Sequence, residues 1–172
     1  MELLAFGDQG WGDEIFKATL MTVAVSIAAF LIGLLFAFVI VSFKLSKYKA
    51  LVFFGNTYTT IFRGVPELLI IYLFFFGSSG AIMYLAKIFG YNDYIEVNAF
   101  LTGAFSIGVI SGAYSSEVLR GAILSINIGQ FEAAKALGFK KIKYYFTIIL
   151  PQILRIAIPN LSNVWQITLK DT

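Results

Sequence analysis

This chain of 172 residues contains no cysteine and no histidine. Their absence excludes disulfide frameworks, Cys/His metal sites and histidine-based acid–base or nucleophilic chemistry. No catalytic or metal-ligating set is expected. Charge is also scarce, at 13% of residues against about 25% in a soluble domain. That is too little for a water-facing surface. The first residues lack the basic stretch of a cleavable signal and carry Glu2, Asp8, Asp13 and Glu14 instead.

What the chain has in quantity is apolar surface. Hydrophobic residues make up 59% and aromatics 17%, whereas a soluble domain is about 45–50% apolar. The expectation is an all-α integral membrane protein. Its net charge of +3 comes from short lysine clusters, which here report topology and contact with lipid rather than nucleic-acid binding.

A helix needs roughly 20 apolar residues to cross about 30 Å of hydrocarbon. Ala18 to Phe43 is uncharged and gives span one; Glu67 to Lys87 brackets span two; Glu96 to Glu117 brackets span three. The run between Arg155 and Lys170 is too short to cross alone. Lys44, Lys47, Lys49 and Arg63 follow span one, and Arg120, Lys135, Lys140, Lys141 and Lys143 follow span three. The segments before span one and between spans two and three are poor in basic residues, with Asp93 and Glu96 in the latter. The alternation places the amino terminus outside and the basic loops in the cytoplasm.

Span three also carries Ala104, Gly108, Ser111, Gly112 and Ser115 on one face. Small faces let helix backbones approach closely in lipid. The first expectation is packing within the chain, the second a subunit contact. From Arg155 to Thr172 a helix advances some 25 Å at about 1.5 Å per residue and nothing returns, so the sequence is expected to be a fragment of a longer protein.

The stretch "QFEAAKALGFKKIKYYFTIILPQ", residues 130–152, interrupts the apolar pattern. Alanine and leucine favour helix, and Gly138 is suited to end it in a left-handed conformation. The resulting helix of about two turns is too short to stand alone in water, so it needs support from within the protein or from another one. Lys140, Lys141 and Lys143 hold the next segment at the headgroups, with Tyr144 and Tyr145 suited to the interface. Pro151 bends or ends the preceding helix, and Pro159 repeats that punctuation; the alternative is an ordinary basic cytoplasmic loop with incidental prolines.

The spacing of Glu132-Ala133-Ala134, Gly138, Ile148 and Leu150-Pro151 resembles the EAA loop of bacterial ABC-importer permeases. "FRGVPELLIIYLFFFG", "GAYSSEVLRGAILSINIGQFEAAKALG" and "LPQILRIAIPNLSNVWQITLKDT" look like the polar-amino-acid branch that serves histidine, arginine and opines. The resemblance runs from about Arg63 onward. It implies one type I permease domain over 1–172, about five spans in the full protein and four at most here, with the coupling loop at about 130–152. It also implies a bacterial inner-membrane, multi-pass permease subunit of an ATP-driven amino-acid importer, with no bond chemistry of its own.

By the same resemblance, Glu132, Ala133, Ala134 and Gly138 form the docking surface for a cytoplasmic ABC ATPase dimer, beside Lys135 and Ala136. ATP and Mg would be bound by that partner and no cofactor by this chain. The remaining partners are a second permease, identical or different, and a periplasmic or extracellular amino-acid-binding protein. Arg63, Gly64 and Pro66 are expected at the cytoplasmic mouth of span two, as a turn and an anchor rather than a ligand contact. Glu117 and Arg120 have the spacing of a same-face ion pair, either facing a cavity or marking a helix end. Asn163, Gln166, Lys170 and Asp171, with Glu117, are candidates for the substrate path; the alternative for the last two is the outer interface. A self-contained secondary transporter or channel is the rival function, a membrane-embedded enzyme or a purely structural importer subunit the weaker ones.

Overall fold

A computed structural model describes residues 10–90 and 98–172, so Glu2, Asp8, Asp93 and Glu96 lie outside the described residues. The described part is helical: α1 (Gly12–Lys44), α2 (Lys49–Gly64), α3 (Glu67–Ile88), α4 (Ala99–Leu124), α5 (Ile128–Ala136), α6 (Lys141–Tyr144), a π-helical turn (Tyr145–Ile149) and α7 (Leu150–Lys170). Three of these, α1, α3 and α4, are long and apolar enough to cross a membrane. They contain expected spans one and two, and span three from Ala99 onward.

The centre of the bundle is α4, and its small face explains why. A side-chain carbon added to Gly108 would lie 3.0 Å from the Ala29 carbonyl oxygen, and one on Gly112 would lie 3.1 Å from that of Gly33. Helices α1 and α4 therefore touch backbone to backbone and run in the same direction, which only residues without bulk allow. Ser26, Ser106, Ser111, Ser115 and Ser116 are buried in the same region. Thr168 of α7 joins it by donating to Ser111 Oγ at 3.0 Å. Ala37, Val41, Leu119, Ala122 and Ala157 form a second small-residue cluster among α1, α4 and α7. The small face is thus used within the chain, as first expected. The apolar exterior of α3, with Leu69, Leu73 and Phe76 exposed, is what a lipid-facing helix presents.

The largest departure from the sequence expectation is α2. Its basic ends mark it as a connecting segment, yet it is a helix that lays one face against α1 and α4, with Gly55 and Thr59 buried and Phe53, Phe54 and Ile61 exposed. Gly55 admits the Lys44 side chain, and Tyr58 stacks on Phe36 at 6.3 Å and donates to the Val109 carbonyl at 2.6 Å. It therefore climbs beside α1 in the opposite direction. Val65 then turns extended, at ψ 142, because a residue before proline is pushed out of the helical region. Pro66 restarts the chain as α3 with Glu67 in the first turn, where a carboxylate suits the helix dipole.

The prolines of the last segment behave differently from each other. Pro151 has no N–H for the carbonyl four residues back, and the chain just before it widens into the π-helical turn. Pro159 lies inside a continuous α7 and does not break it, a correction to the expected punctuation. After each proline an amide side chain donates four residues back: Gln152 to Ile148 at 3.0 Å and Asn160 to Ile156 at 2.9 Å.

Candidate functional site

Two places carry chemistry, the short helix α5 and the break between α2 and α3. Helix α5 begins at Asn127, whose side chain accepts from Gly129 N at 2.8 Å, a cap that satisfies a free amide. It ends as the sequence suggests. Gly138 sits at φ +73, its N–H donates to Lys135 O at 2.9 Å, and Phe139 N donates to Ala134 O at 3.1 Å. These two bonds are the left-handed closing motif of a helix. Space around Gly138 is open, so the requirement for glycine there is conformational rather than steric.

The support that a nine-residue helix needs comes from within the chain. Ala134, Tyr144 and Ile149 are buried together, with Phe131, Phe139 and Ile153 packed around them. The Phe131 ring meets Tyr144 edge-on at 6.2 Å and Tyr145 at 5.9 Å. Ala134, expected on the docking surface, is only 2% exposed. It faces the other way, because the face of α5 that meets Tyr144 has room only for a small side chain. Glu132, Ala133, Lys135, Ala136 and Gly138 are exposed, and so is Leu137. Leu137 is a surface residue that the motif did not bring forward.

At the helix break, Tyr114 Oη donates to Glu67 Oε1 at 2.8 Å. Arg63 lies over the Tyr114 ring at 5.5 Å, within range of a cation–π attraction. Asp171 reaches the same place and faces Glu67. Arg63, Gly64 and Pro66 are exposed. Of these, Arg63 at the end of α2 lies beside Tyr114, in the uncharged run of α4. Asn163, Gln166 and Lys170 are exposed on α7, and only Asp171 of that expected group joins the cluster. Glu67 and Tyr114 were not expected there; a glutamate one residue past the turn was the available signal.

One helical turn further along α4, Glu117 pairs with Arg120 at 2.9 Å, as its spacing suggests, and also with Lys44 of α1. Lys44 donates as well to Thr59 Oγ1 of α2 at 2.7 Å. Three helices thus meet in one polar knot. No cluster of metal-ligating side chains occurs among the described residues.

Three helices long and apolar enough to cross a membrane, a helix break with polar groups beside it and a braced short helix on a loop make up the architecture of a membrane transport protein. The family model for the binding-protein-dependent transport system inner membrane component matches residues 29–172, and the chain belongs to that family. The octopine transport system permease protein OccQ of Rhizobium meliloti is 46% identical, over 100% of this chain and 73% of that protein. The arginine ABC transporter permease protein ArtQ of Escherichia coli K12 is 33% identical over 88% and 69%. The crystal structure of an amino acid ABC transporter with histidines superposes with a TM-score of 0.66 at 26% identity, covering 91% of this chain and 71% of that one. The protein is a permease subunit of an ABC importer and an inner-membrane component. Family membership decides against the self-contained transporter, and it implies a substrate-binding protein and an ATPase as partners.

Proposed function

We propose that this permease conducts polar amino acids or opines and that α5 is the knob through which a separate ATPase drives it. The observation that carries the second part is the brace: α5 is exposed on one side and fixed to Tyr144 and Ile149 on the other, so force applied to it reaches α4 and α7. The relatives that transport octopine and arginine support the first part. In this reading the ATPase docks on Glu132, Ala133, Lys135, Ala136 and Leu137, with Gly138 turning the chain away and Ala134 seating the helix. ATP and Mg belong to the ATPase, and the permease chain needs no cofactor.

The rest of the reading follows from charge and from the helix break. The lysines around α5 and α6 lie on the cytoplasmic side and the amino terminus outside. A second permease, identical or different, completes the pathway. Glu67, Asp171 and Glu117 line it, with Asn163, Gln166 and Lys170 exposed toward that second half. ATP-driven closure of the ATPase pair shifts the two halves between inward- and outward-open populations.

The test uses the complete importer in proteoliposomes. Glu132→Lys or Gly138→Asp should leave the assembly inserted while uptake falls and hydrolysis no longer responds to liganded binding protein. Normal stimulation in both variants would remove α5 from this role.

A further inference from the structure

Beside the polar knot is a cavity of about 710 Å³ between α2 and α4. Lys44, Arg63 and Arg120 line it against a single acid, Glu117, and Asn56 and Thr60 add neutral polar groups. Three cations facing one carboxylate leave an excess of positive charge. The Lys44 side chain is only 6% exposed, so its charge acts through a surround that screens poorly. Glu67 and Asp171 do not line it; they belong with Tyr114, over whose ring Arg63 lies. The break therefore separates an acidic place from a cationic one, and Arg63 belongs to both.

Amino acids and opines share one group that suits such a cavity, the carboxylate, which a guanidinium grips in a planar, two-pronged manner. We propose that the cavity is a staging site for the carboxylate of the cargo, held by Arg63 with help from Arg120 and Lys44, between the helix break and release. It rests on the reading of the chain as an amino-acid or opine permease. It adds a second station, distinct from the acidic cluster beside Tyr114.

The absence of cysteine makes a direct test available. Thr60 is exposed and lines the cavity, so Thr60→Cys supplies the single thiol in this chain. The complete importer, in nanodiscs without ATP, is labelled with a small thiol reagent, and uptake is measured in parallel. With L-arginine or octopine, whichever is taken up, labelling of position 60 should slow by the factor 1 + [L]/Kd expected for competition. Agmatine, which keeps the guanidinium and lacks the carboxylate, should not slow it. Arg63→Gln should abolish the protection while position 60 still labels, and Arg63→Lys should restore part of it. Equal protection by agmatine, or uptake of cargo without any protection, would overturn the staging site and leave the permease reading intact. A slowing that follows phosphatidylglycerol content and ignores cargo would also overturn it, assigning the cavity to lipid headgroups. No uptake of either cargo would remove the substrate reading itself, and the proposal with it.

Discussion

A lysine with 6% of its side chain exposed needs a partner, because an ammonium withdrawn from water loses solvation that only close opposite charge and hydrogen bonds offset. Lys44 has Glu117 and Thr59 for this purpose. Removing Glu117 strands the charge, and Glu117→Ala should lower stability by about 3 kcal/mol, the low end of the range for buried pairs. Lys44→Met should cost less, since Glu117 keeps Arg120, and the double change Lys44→Met with Glu117→Leu should return close to the parent. Thermal unfolding of the purified importer measures all three, and an unchanged midpoint for Glu117→Ala would contradict the arrangement. The Glu117–Arg120 half was legible in the sequence because three-residue spacing on a helix is local geometry. The Lys44 half was not: 73 positions separate it from Glu117, and the sequence offered only a lysine at the end of a span.

At the scale of elements, α5 shows how a helix too short to persist alone is held by its neighbours. Tyr144 is 3% exposed and sits under Ala134. Tyr144→Ala should empty that seat, costing about 3 kcal/mol locally by analogy with large-to-small aromatic substitutions. Amide hydrogen exchange should then quicken across residues 128–136 while α1 and α4 keep their protection; equal quickening throughout would point to general unfolding instead. The end of this helix was readable, because a left-handed glycine is a local signal; its start was not, since the Asn127 cap lies a turn ahead of the Glu-Ala-Ala stretch that drew attention. Helix α2 was hidden for the opposite reason. Only part of its surface is apolar, enough to cover α1 and α4, and flanking lysines make such a segment resemble a loop.

Over the whole molecule, the direction in which the bundle sits governs every functional statement, since a docking helix is useful only where the ATPase is. Single cysteines introduced at Lys135 and at Gly138 should react with an impermeant thiol reagent in inside-out vesicles and resist it in right-side-out ones. Labelling of both from the external face would reverse the orientation and separate α5 from any cytoplasmic motor. The expectation comes from lysine and arginine alone, a count that needs no coordinates because insertion responds to charge near the ends of spans.

The sequence by itself determined the membrane class, the three long spans, the small face of α4 and the turn at Gly138. Each depends on composition or on residues within a few positions of one another. Only the tertiary structure decided that α2 is a helix lying against α1 and α4, that Ala134 turns inward, and that Arg63, Glu67, Tyr114 and Asp171 converge. Those outcomes depend on how closely helices far apart in the chain can approach, and it is the backbone contact between α1 and α4 that sets which side chains are brought together.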